Sequence, residues 1–397
     1  MECFSVLKRF ILSISKVQWV VIILVITTIP IGAIAVYYWN LDDDPPSSPS
    51  DPLADKYGPV IYVNMLYRHG ARNPIEVTPT DPYSDSKYWP GGLGSITLKG
   101  IASHYHLGKW IADRYRHLLP TEWTSINDAI VVISSDVNRT LMSAEANLAG
   151  MFPVTGDSSS WEGFSSYPVP IHSIPTADDA MLQFTKTCAK YNALLEATKA
   201  SKEFQSTTQM YKNVSEYVEL NSQKSMDDLF DFASVYETYF IEESVGLELP
   251  EWLEKVYPSP LHELSVMDFI FLTWTTEMKR LRGGPFVKEV LSNFHQKLNG
   301  SSSLNVTAYS AHDLTIASAM RAMGVFNNEI PPFTALLLLE LRMPKNETEP
   351  VIMLWYKNST GDPFMLQIHG CSVACPLGQM EDLLKPVIPD DWEEECQ

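Results

Sequence analysis

The chain has 397 residues, 45% of them hydrophobic and 19% charged, which is enough apolar side chain to bury a full core and too much for a disordered tail. Its 29 Lys and Arg stand against 48 Asp and Glu, a net charge of −19. That balance excludes broad electrostatic binding to nucleic acid and confines any phosphate recognition to a local cluster of cations.

Residues 17–39 carry no charge, and about 20 apolar residues suffice to cross a bilayer as a helix. Lys8, Arg9 and Lys16 precede this run and Asp42, Asp43 and Asp44 follow it. The positive-inside bias therefore leaves residues 1–16 in the cytosol and the rest of the chain lumenal or extracellular, a single-pass type II membrane arrangement. The alternative is a signal peptide cleaved after Ala33-Ile34-Ala35, giving a secreted or lysosomal protein. Either way the same domain is exported. Residues 40–55, rich in Asp, Pro and Ser, read as a solvated stalk.

After the stalk the elements alternate. Val60 to Tyr67 is an apolar, β-branched run that predicts a strand, and the apolar spacing from Leu98 to Leu118 predicts a helix. The same order recurs as Ala129 to Ser134 with a helix at 139–151, and as Asn305 to Ala311 with a helix at 314–323. Residues 178–298 read as helical throughout, with Leu229, Ala233, Tyr236 and Phe240 on one helical face. Ala335 to Met343 and Val351 to Lys357 read as late strands. The expected fold class is α/β. A three-layer α/β/α domain with a mixed central sheet occupies 56–177 and 299–397, interrupted by a smaller helical insertion domain at 178–298.

Cys3 falls on the cytosolic side, which leaves Cys188, Cys371, Cys375 and Cys396 for an oxidising compartment. Parity alone allows three pairings. A zinc site at His369, Cys371 and Cys375 lacks a second Cys/His pair at finger-like spacing. Six Asn-x-Ser/Thr sequons occur, at Asn138, Asn213, Asn299, Asn305, Asn346 and Asn358, of which the last five are carried as glycosylation candidates.

The chemistry stands at the end of the first strand, in Arg68-His69-Gly70-Ala71-Arg72-Asn73-Pro74. Ligands of open α/β sheets bind outside the carboxyl ends of strands. Two guanidiniums flanking one imidazole offer bidentate donors to a phosphate while a ring nitrogen attacks phosphorus. Glycine after the histidine is expected to let the backbone approach the ligand. Five fixed residues in Arg-His-Gly-x-Arg-x-Pro arise by chance on the order of 10⁻⁴ times per chain of this length. Arg139 opens a helix, where a cation is poorly placed unless an anion joins it. His312-Asp313 follows a strand and opens another helix, where amide donors favour anions. His104, His106, His117, His172, His262 and His295 are read as structural or surface residues.

These segments resemble the histidine acid phosphatases, the larger branch of the histidine phosphatase superfamily, over nearly all of the chain from about Val60 to Cys396. The resemblance implies His69 as nucleophile, Arg68, Arg72, Arg139 and His312 as phosphate ligands and Asp313 as proton donor. It also implies no metal and no other cofactor. The run from Cys371 to Cys396 is similar to the prostatic and lysosomal enzymes of that family, and this likeness implies the disulfides Cys371–Cys375 and Cys188–Cys396. A homodimer is a further expectation from the resemblance. The expected activity is hydrolysis of small-molecule or peptide phosphomonoesters through a phosphohistidine. The competing reading, a non-catalytic glycosylated ectodomain that binds partners or phosphorylated ligands, requires loss of one of these six residues, and all six are present.

Overall fold

The computed structural model describes residues 51–154, 165–345 and 348–397. The expected span at 17–39, residues 1–16, nearly all of the stalk and the sequon at Asn346 lie outside the described residues. No helix among the described residues is long and apolar enough to cross a membrane.

The centre is one mixed sheet in the order β3-β2-β4-β1-β5-β6-β7, with β8 also paired to β6. Strands β1 (Val60–Arg68), β2 (Ile130–Ser135), β3 (Ile171–Ile174) and β4 (Val306–Ala311) run parallel. Strands β5 (Leu336–Arg342), β6 (Val351–Lys357), β7 (Phe364–Leu366) and β8 (Ala374–Pro376) add antiparallel pairs. β1 is buried over nearly its whole length, because helices cover both faces and a strand so placed reads as a continuous apolar run. Tyr62 and Leu66 enter one core, while Val63, Met65 and Tyr67 enter the other.

Helices α1 (Leu98–Arg114) and α2 (Asn138–Met151) cover the second of these faces through Leu107, Ile111, Ala144 and Leu148. The insertion then runs through α3 (Ala189–Lys199), α4 (Lys202–Met210), α5 (Lys212–Ser222), α6 (Asp231–Ser244) and α7 (Leu261–Phe271). Helices α4 to α7 close around an apolar core of their own, with Phe204, Val218, Phe232, Tyr239, Leu264 and Phe271 inside. Helices α8 (Thr276–Arg282) and α9 (Gly284–Leu298) follow, then α10 (Asp313–Ala322).

The expected end of the insertion at 298 is too late. Phe286, Val290 and Phe294 of α9 pack on Tyr62, Leu66 and Tyr309 of the sheet, so α9 belongs to the α/β layers. Helical periodicity marks an apolar face and says nothing of which layer covers it. Of the three open pairings, the chain forms Cys188–Cys396 and Cys371–Cys375. Asn305 is a poor glycan acceptor, because its half-buried side chain donates Nδ2 to Leu118 O at 2.8 Å and accepts from Lys297 Nζ at 2.7 Å. Asn213, Asn299 and Asn358 are exposed.

One charged cluster interrupts the apolar layers. Glu340 of β5, fully buried, accepts from Arg114 Nη2 at 2.9 Å, Tyr115 OH at 2.7 Å, Trp355 Nε1 at 3.0 Å and Arg342 Nη2 at 2.8 Å. Buried Arg342 also donates to Asp51 at 2.7 Å. Every lone pair direction of the carboxylate is used, the condition under which a buried charge is tolerated.

Candidate active site

Parallel pairing in register places Arg68 at the end of β1 beside Ala311 at the end of β4. The next residues on each strand, His69 and His312, therefore meet edge to face with ring centroids 5.5 Å apart. β2 ends at Ser135 on the other side of β4, and α2 begins three residues later, which brings Arg139 to the same point. Arg68, His69, Arg72, Arg139, His312 and Asp313 all line one cavity of about 770 Å³.

Gly70 has a different role from the one expected. A Cβ there would stand 2.5 Å from Gly100 O, so the missing side chain lets the backbone approach the start of α1 rather than a ligand. Its amide donates to Ser143 Oγ at 2.9 Å, which locks the loop to α2. Buried His104 accepts the structural role expected of it, with Nε2 3.0 Å from Arg68 O.

His69 is buried, and its Nδ1 lies 2.9 Å from Gly70 O. A carbonyl only accepts, so Nδ1 carries the proton and Nε2 keeps its lone pair. Burial, and after it the charges of Arg68, His312, Arg139 and Arg72, hold the imidazole well below its usual range. These causes all favour the neutral form of the ring.

Three guanidiniums surround it, and each leaves a buried Nε–H without a partner: Arg68, Arg72 and Arg139. Orphaned charged donors of this kind call for an anion. Arg68 Nη1 donates to Pro331 O at 2.7 Å, and the guanidinium lies over the Phe333 ring at 4.2 Å. Arg139 is pushed down to about 10, chiefly by burial and then by Arg72, and stays charged.

The carboxylates are less free than the sequence implied. Asp313 Oδ2 pairs with Arg68 Nη2 at 2.6 Å, and its Oδ1 accepts from Leu314 N at 2.7 Å. Burial pushes this carboxyl up, but Arg68, Arg72 and His312 outweigh it and hold Asp313 below the usual value. In the free protein it is an anion. His312 is held down to about 3, first by burial and then by Arg139. Its Nε2 lies 3.0 Å from Ser135 Oγ, so in the free protein this nitrogen is not turned to the anion site.

Glu237 of α6 was not legible as a site residue. Its Oε1 accepts from Arg72 Nη2 at 2.6 Å and from Arg68 Nη2 at 3.1 Å, bridging the two arginines from the insertion. No motif flags it among 48 acids, and the helical pattern draws attention to its apolar neighbour Tyr236. His262, expected at the surface or in a structural role, lines the cavity, and its Nε2 lies 3.5 Å from Glu329 Oε2.

The chain is similar to known proteins in sequence and in fold. The chain is 36% identical to the lysosomal acid phosphatase of Xenopus laevis over 342 residues, covering 85% of this chain and 78% of that protein. It is 35% identical to the prostatic acid phosphatase of Homo sapiens, covering 84% and 87%. In three dimensions it resembles the Hafnia alvei phytase solved with tartrate, with a TM-score of 0.64 at 18% identity over 85% of this chain and 98% of that one. The sequence model of the histidine phosphatase superfamily, branch 2, matches residues 60–357. The chain belongs to that branch of the histidine phosphatase superfamily.

Proposed function

We propose that the protein is an acid phosphatase in which His69 is the nucleophile and Arg68, Arg72 and Arg139 hold the phosphate. The observation that supports this most is the neutral His69 ring, with its Nε2 lone pair free, set among three guanidiniums with unpartnered Nε–H groups. An incoming phosphomonoester takes over Arg68 and Arg72 from Glu237 and Asp313. Freed from Arg68 and facing the phosphate's negative charge, Asp313 gains affinity for a proton, which an acidic medium supplies.

Nε2 then attacks phosphorus in line. The N–P bond forms as the P–O bond to the alcohol breaks, and Asp313 gives its proton to the leaving oxygen. The arginines stabilise the spreading charge of the transferring group. In the second half, Asp313 takes a proton from water as the water oxygen attacks phosphorus and the N–P bond breaks. Phosphate leaves and neutral His69 is restored. His312 completes the cradle if its ring turns from Ser135.

Rapid quenching with a ³²P-labelled ester tests this reading. An acid-labile, base-stable phosphoprotein is expected, and His69→Ala should lose both the adduct and turnover. Labelling that persists in His69→Ala would place the nucleophile elsewhere, and absence of any phosphate release by the parent would favour the non-catalytic ectodomain.

The same proposal puts the catalytic unit in the lumen or outside the cell, with residues 17–39 as a type II anchor. Two disulfides and exposed sequons support export to an oxidising compartment, and one of the relatives is named a lysosomal enzyme. An anchored chain stays in the membrane pellet after carbonate washing, whereas a soluble form starting at Val36 means a cleaved signal. The expected homodimer is tested by sedimentation equilibrium of the purified chain.

A further inference from the structure

Beyond the phosphate cradle the cavity continues along the inner face of the insertion, and its chemistry changes there. Tyr236 and Phe240 of α6 and Phe269 of α7 supply aromatic walls, with Tyr236 and Phe240 stacked at 5.8 Å between centroids. Two carboxylates stand at this end. Asp268 of α7 is half-buried and has no hydrogen-bond or ion-pair partner among the described residues. Glu329 has a side chain 62% exposed, with His262 as its ion-pair partner when that ring is protonated. Among the described residues, the cations lining the cavity are Arg68, Arg72 and Arg139, all at the phosphate end, and no lysine joins them.

The two ends of the cavity are thus opposite in character. One guanidinium cluster suits one phosphate. A second phosphate on the alcohol would face Asp268, Glu329 and the negative faces of the rings with no permanent cation to meet it. An ammonium group in the same place would meet carboxylates and aromatic faces, both of which attract it. Resting on the phosphatase reading above, we infer that this site takes monoesters of aromatic or otherwise apolar alcohols bearing an ammonium group or no further charge, and turns away inositol polyphosphates and other polyanions. The likeness to phytases is one of fold, and the charge of this chain's own cavity decides the leaving group.

The discrimination should grow with pH. Burial first, and then Asp313 and Asp228, push the Asp268 carboxyl up to about 7. The groups that face it are Asp313 of α10, Asp228 ahead of α6 and Tyr191 of α3. At pH 5 Asp268 is mostly protonated and its share of the preference is lost; by pH 8 it is charged.

The test compares kcat/KM of the full-length purified chain on four esters: O-phosphotyramine, phenyl phosphate, 4-phosphonooxybenzoate and myo-inositol hexakisphosphate. The expected order is cationic, neutral, anionic, with at least about a tenfold gap between the aryl extremes at pH 7.5, the effect of one close charge contact. The hexakisphosphate should be near background. The ratio of phosphotyramine to phosphonooxybenzoate should shrink at pH 5, and should collapse towards one in Glu329→Gln combined with Asp268→Asn. This ratio is internal to each preparation, so partial loss of folded enzyme does not move it, and exposed Glu329→Gln alone should lower it. A parent that hydrolyses the hexakisphosphate as well as phenyl phosphate, or a variant that keeps the parent ratio, overturns the inference. Failure on all four esters would instead overturn the phosphatase reading itself.

Discussion

Glu242→Gln should remove a pH-dependent weakness in the attachment of the insertion to the segment that follows Pro74. Glu242 of α6 is fully buried beside Asp81, and both of its oxygens, with Asp81 Oδ2, lack hydrogen-bond donors. Two carboxylates offer each other only acceptors; a proton on Glu242 turns the contact into a hydrogen bond. Burial, then the hydrogen bond with Asp81 and its repulsion, push Glu242 up to about 9. The folded state therefore holds a proton that the unfolded chain releases near 4.5. Stability from this group is complete below that value and falls as pH rises towards 9, by at most about 1.4 kcal/mol per unit. At pH 7 the accumulated loss approaches roughly 3 kcal/mol, an upper figure because water and the coupled partner relax part of it. Gln keeps the shape and supplies a permanent N–H donor to Asp81. Thermal unfolding followed by tryptophan fluorescence should show variant and parent alike at pH 4.5, and the variant higher by about 4 °C at pH 7 for a folded unit of this size. Subtracting parent from variant isolates Glu242 from Asp268, which acts in the same direction, and from the buried histidines, which act in the opposite one. A difference that does not grow between pH 5 and pH 8 would refute the proton-sharing account.

Asp313→Asn should slow alkyl esters by roughly 10²–10⁴-fold and p-nitrophenyl phosphate much less, because only the poor leaving group needs a proton; equal losses on both, or much weaker vanadate inhibition, would make Asp313 a positioning residue. Glu237→Gln removes the anion that occupies Arg68 and Arg72 in the free enzyme, so vanadate should bind roughly three- to tenfold tighter. Weaker vanadate binding would mean that Glu237 aligns the arginines instead of competing for them. Glu340→Ala strands Arg342 in the core with one partner fewer, and denaturant unfolding should show a loss of about 3–5 kcal/mol.

Much of the site was legible in the sequence because its signals are local. Arg68, His69 and Arg72 share one strand end, His312 and Asp313 another, and Arg139 stands at a helix start whose charge needs an anion. The strand and helix alternation around them follows from periodicity within each segment, and the tertiary structure retains it from Val60 to Lys357. What the sequence alone left open depends on contacts between distant segments. Register between β1 and β4 decides that His69 faces His312. Folding of α6 over the strand ends decides which of 48 acids becomes the partner of Arg68 and Arg72. The same packing brings Asp268 and Glu329 to the cavity wall, sends α9 to the sheet, and gives Gly70 to a backbone crossing with α1. A residue's type states which chemistry it can offer, while its burial and its neighbours in space decide the protonation state and the partner, and those are properties of the closed fold.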